Sequence, residues 1–76
     1  MKLKQLGSNM TELDMGDAQA FFSYETPVAA RTDTGALVRT STKYSVTTTK
    51  HINKWLDGRE AQEVSQAAID ELVEAV

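Results

Sequence analysis

His51 is the one histidine of the chain, and cysteine is absent, so any metal, acid–base or nucleophilic chemistry has to be built around that single imidazole. A metal site needs further ligands, yet the positions three and four residues beyond His51 hold Lys54 and Trp55 rather than carboxylates. A nucleophilic triad would join Ser41 or Ser45 to His51 and to a carboxylate such as Asp57. No Gly-x-Ser-x-Gly turn presents either serine. Asp70 with Glu71, and Glu60 with Glu63, read as a solvated helix face and loop rather than acid–base partners. A glycine-rich phosphate loop is missing as well. These residues predict a protein that is not an enzyme, with no catalytic residues, no metal and no cofactor.

Binding chemistry is better represented. Arg39, Lys43, Lys50, His51 and Lys54 gather between residues 39 and 54, whereas Asp57, Glu60, Glu63, Asp70, Glu71 and Glu74 make the end of the chain acidic. Lysines and cap hydroxyls on one helix, next to a sheet bearing Arg39 and Lys43, suit phosphates. The candidate binding residues are therefore Arg39, Lys43, Thr47, Lys50, His51, Asn53, Lys54 and Trp55. Five cations are few for a nucleic-acid binder in a chain of net charge -3, so a solvated basic face is the plainer reading. Trp55 serves either as core or as an interface anchor.

Positioning these residues requires a strand region followed by helices. Thr11, Leu13 and Met15 alternate with Glu12 and Asp14, the period of a strand with one wet face, and Gly16-Asp17 supplies a turn. From Ala18 through Phe21-Phe22-Ser23-Tyr24 to Ala30 the composition predicts one long strand, with Pro27 at a bulge or an unpaired position. A loop at Asp33-Thr34-Gly35 then sets Arg31 opposite Leu37, Ala30 opposite Val38, Val28 opposite Thr40 and Tyr24 opposite Tyr44. That register gives one apolar face, carrying Phe22, Tyr24, Val28, Ala30, Val38 and Tyr44. The other face sets Glu25 against Lys43 and Ala29 against Arg39, and reads as solvated.

After Tyr44 the period becomes helical. Ser45 or Thr47 caps a helix over about 47–57 whose Ile52, Trp55 and Leu56 share one side, with Lys50, Asn53 and Lys54 opposite, until Asp57-Gly58 stops it. Residues 59–64 read as polar and extended or looped. Ser65 caps a second helix over about 65–76, in which Ile69, Leu72, Val73 and Val76 line one side. The fold expected is α+β: a three- to four-stranded antiparallel sheet over residues 2–44, with both helices packed on one of its faces.

Composition sets the outer limits. With 76 residues, 41% of them hydrophobic and 25% charged, residues 1–76 form one small globular domain rather than a disordered chain. Without cysteine there is no disulfide framework. Met1-Lys2-Leu3-Lys4-Gln5-Leu6 leads into no apolar run, which predicts neither signal peptide nor membrane span and a cytoplasmic protein.

Three stretches carry a resemblance: Phe22-Ser23-Tyr24-Glu25-Thr26-Pro27-Val28-Ala29-Ala30, Arg39-Thr40, and Tyr44-Ser45-Val46-Thr47-Thr48-Thr49-Lys50-His51-Ile52-Asn53-Lys54-Trp55-Leu56. Between Leu6 and Leu72 the chain resembles a family of small uncharacterised proteins found in bacteriophage and environmental viral sequences. The resemblance implies a compact phage accessory protein working in the cytoplasm of an infected bacterium. With no catalytic constellation, the expected function is non-enzymatic binding and modulation of a host or viral macromolecule, a protein before a nucleic acid, as in the inhibition of host defence by anti-CRISPR proteins. The alternative is a nucleic-acid-binding accessory using the basic face of the first helix and the strand beside it. A second copy completing a sheet edge, giving a homodimer, is a further candidate partner.

Overall fold

A computed structural model describes residues 2–74. The elements are β1 (Lys2–Gly7), β2 (Met10–Asp14), β3 (Gln19–Ser23), β4 (Thr26–Arg31), β5 (Leu37–Thr40), α1 (Val46–Leu56), β6 (Gln62–Val64) and α2 (Gln66–Glu74). They form one six-stranded sheet in the order β1-β2-β3-β4-β5-β6. The first five strands are an antiparallel meander, while β6 lies parallel to β5, with α1 as the crossover that parallel neighbours require.

The α+β class is as expected, but the sheet has six strands rather than three or four. The predicted long strand after Ala18 breaks at Tyr24, whose φ of 58° turns the chain back so that β3 pairs with β4. Residues 62–64, within the stretch expected as extended or looped, are extended and supply β6, tied on by pairs such as Arg39 with Glu63.

The pairs Arg31–Leu37, Ala30–Val38 and Ala29–Arg39 form as the sequence predicts. Val28–Thr40 and Tyr24–Tyr44 do not. Phe21 pairs with Ala29 and Phe22 with Pro27, which leaves Val28 as the extra residue of a β-bulge beside the proline. Tyr44 and Lys43 lie beyond the end of β5, so the expected Glu25–Lys43 pair is absent too.

The helices pack on opposite faces of the sheet, not on one. Successive strand residues point to opposite sides, and the two cores divide on that rule except at the bulge, which brings Val28 to the same side as Ala29. Phe21, Val28 and Ala29 pack with Met10 beneath Ile52 and Leu56 of α1, with Leu37 and Trp55 at the margin. Ala30 and Val38 pack on the other face with Ile69 of α2, flanked by Val64 and Leu72. The face expected to be solvated is thus roofed by α1, and Ala29 on it is fully buried. Each helix starts at a serine cap: Thr48 donates its amide to Ser45 Oγ at 3.1 Å, and Ala68 donates to Ser65 Oγ at 3.2 Å. Asp57, at φ 51°, ends α1 in the left-handed conformation, as the Asp57-Gly58 stop predicts. Val76 lies outside the described residues.

Candidate functional site

The candidate residues are distributed by the rotation of α1 over the sheet. Thr48, Ile52 and Leu56 point down and are buried, while Thr47, Lys50, Asn53 and Lys54 are exposed. His51 and Trp55, four apart, run along one flank and are half-buried. That flank faces β2 and β3, because His51 meets Ser23 and Trp55 meets Glu12. Asn53 on the other flank accepts a hydrogen bond from Arg39 of β5 at 3.1 Å.

Trp55 is the most constrained of these side chains. Its ring stacks on Phe21 with centroids 5.3 Å apart and planes 14° from parallel. Its indole Nε1 donates to Glu12 Oε1 at 2.9 Å. The Arg59 guanidinium stands 5.7 Å from the ring centroid, in cation–π range. Arg59 is itself fixed, donating through Nε to Leu56 O at 2.7 Å and through Nη2 to Trp55 O at 2.9 Å. Both acceptors are carbonyls left over at the helix C-terminus, where a cation also favours the dipole.

One edge of this ordered ring is open. Trp55 and Phe21 form the wall of a cleft of about 700 Å³ with Leu6 and Met10, rimmed by Lys54, Asp57 and Arg59. An apolar floor with charged groups at its mouth suits an aliphatic or aromatic side chain whose neighbour carries a carboxylate.

The remaining candidates lie elsewhere. His51 Nδ1 is 2.8 Å from Ser23 Oγ, and Ser23 donates to Thr48 Oγ1 at 3.3 Å. Ser23, rather than Ser41 or Ser45, is therefore the serine beside the histidine. It is only 2% exposed, and the contact joins α1 to β3. Arg39 and Asn53 line a second, smaller cleft beside Gly58 and Ala61, and Arg39 Nε is buried without a partner. Lys43 and Thr47 sit at the N-terminal end of α1, and Lys50 faces water in its middle. Of the eight residues expected to form a binding face, only Lys54 and Trp55 share the large cleft.

Leu6, Met10, Glu12, Phe21 and Arg59 complete that cleft and its supports, and sequence reading passed over them. Nothing local marks Glu12 as the acceptor for Trp55, since 43 residues separate them. Among the described residues, no group of three or more His, Cys, Asp or Glu could hold a metal ion, and no helix is long and apolar enough to cross a membrane.

Compared with known proteins, residues 1–71 match DUF8033, a family of unknown function. No curated protein and no solved structure matches the chain.

Proposed function

We propose that this chain, which belongs to the DUF8033 family of unknown function, is a non-enzymatic binding module that modulates a partner protein by taking one of its apolar side chains into the cleft beside Trp55. The observation that carries this reading is that Trp55 is held by Phe21, Glu12 and Arg59 and is still only partly buried on the cleft wall. A side chain ordered before binding loses little entropy on association, which is why fixed aromatic residues dominate interface energetics. Lys54 and Arg59 at the rim favour an acidic residue beside the inserted group. The resemblance to phage sequences supports a further specification: a viral accessory protein in the bacterial cytoplasm, acting on a host or viral protein, with inhibition of host defence as its role.

The test is photo-crosslinking from position 54 in infected cells, repeated with Leu6→Glu and with Lys50→Glu. Leu6 is on the cleft and Lys50 is not. The reading expects one protein to be captured, capture to fail with Leu6→Glu, and capture to persist with Lys50→Glu. Equal behaviour of the two variants would overturn it. The nucleic-acid reading rests on Lys50 and Lys54, both exposed and one turn apart on α1. It expects a low-salt mobility shift that Lys50→Glu plus Lys54→Glu abolishes.

A further inference from the structure

The opposite end of α1 carries a second recess, independent of the Trp55 cleft. Tyr24 and Tyr44 are 50% and 47% exposed, and both line a pocket of about 190 Å³. Its remaining surface combines the buried Val28 with Ser23, Thr26, Ser45 and Thr48. The His51 ring stands 5.9 Å from that of Tyr24, tilted by 43°, so three rings border this corner.

Two details suggest that the fold does not need this arrangement for its own sake. Tyr24 occupies a left-handed turn position, φ 58°, where asparagine or glycine would sit at lower cost. Its ring covers no core and stays half in water. The hydroxyls are also polarised in one direction: Ser23 and Ser45 both donate to Thr48 Oγ1, at 3.3 and 3.2 Å. Thr48 accepts twice, which leaves its own proton outside this chain of bonds. Outside the pocket, Lys43 and Tyr44 border a shared groove with Val46.

We infer that this recess binds the base of a mononucleotide. The planar ring lies against Tyr24 and Tyr44, a ring acceptor meets the Thr48 hydroxyl, and the phosphate meets Lys43. Aromatic side chains stack on any base, whereas the hydroxyls and lysine add polar selection. The pocket is smaller than those that enclose a drug-sized ligand, so it takes a ring system and leaves the sugar outside. The chain's net charge of -3 disfavours a polyanionic strand but not a single phosphate beside one lysine.

The probe is adenosine 5′-monophosphate, titrated into the isotopically labelled chain and followed by amide NMR shifts. Saturable shifts at Tyr24, Tyr44, Ser45 and Thr48 are expected. Tyr24→Asn, which keeps the turn, and Tyr44→Ala should each weaken binding about tenfold, the loss of one stacking contact. Lys43→Ala should weaken the nucleotide and leave adenosine unchanged. Leu6→Glu, in the other cleft, should leave both unchanged, so failure here is separate from failure of the protein-binding reading. The inference is overturned if the nucleotide produces no shifts at these residues up to millimolar concentration, or if ribose 5-phosphate binds as well. Folded tyrosine variants that bind like the parent chain, or a short single strand that binds far more tightly than the nucleotide, overturn it equally.

Discussion

Ala29 and Ala30 are consecutive residues of β4, 0% and 1% exposed, and they belong to different cores. The methyl of Ala29 lies under α1 with Phe21, and that of Ala30 lies under α2 with Val38. Small side chains let both helices approach the middle strand closely. A thin chain thus forms a layered structure with two small cores instead of one larger core.

Independent cores should respond independently. Ile52→Val under α1 and Ile69→Val under α2 should each cost about 1 kcal/mol. The double variant should lose their sum to within about 0.5 kcal/mol, since the residues share no neighbours. Urea denaturation of all three proteins checks this, and strong coupling would instead point to one shared core.

Trp55 carries both packing and a hydrogen bond, and two substitutions separate them. Trp55→Phe should cost about 1 to 2 kcal/mol, mostly through the unpaired Glu12 oxygen and lost ring area. Trp55→Ala also removes the stack on Phe21 and should cost about 3 kcal/mol. Thermal unfolding followed by circular dichroism gives both values.

The Ser23–His51 contact should be a structural tie between helix and sheet. Ser23→Ala and His51→Ala should each destabilise the chain, with a coupling of about 1 kcal/mol in a double-mutant cycle. Additive losses would show that the 2.8 Å contact contributes nothing of its own.

Tyr24 holds a backbone conformation that its side chain does not favour. Tyr24→Asn should therefore raise stability by about 0.5 kcal/mol, because asparagine tolerates the left-handed region. The midpoint of chemical denaturation checks this, and the same protein serves the nucleotide titration. A gain in stability with a loss of binding would mark Tyr24 as retained for its ring.

Much of the fold was legible because local chemistry agreed with the final structure. Ser45, Asp57 and Ser65 mark helix ends by side-chain and backbone preferences that need no distant partner. The alternation around Ala30 and Val38 fixed the β4–β5 pairing for the same reason. What escaped depended on contacts between distant segments. Tyr24 carries no turn signature, so the β3–β4 hairpin was hidden in a continuous β-prone run. Gln62–Val64 is too short and polar to announce a strand, and it becomes one only because β5 offers an open edge. The face covered by α1 looked solvated because Arg39 lies on it, and nothing in the sequence shows that Asn53 would meet that guanidinium from above. The sequence leaves Trp55 between core and interface, and the structure packs its ring on Phe21 while leaving it on the wall of a cleft.

The parallel pairing of β6 with β5 has a consequence during synthesis. The meander can zip up hairpin by hairpin as it leaves the ribosome, but its last strand keeps a bare flank until residues beyond α1 arrive. Until then, nascent chains expose unpaired amides and carbonyls that neighbouring chains could capture. A chain released before Gln62 should accordingly aggregate more readily than one that has added β6. The three residues of β6 act as a latch that closes only after α1 has been made.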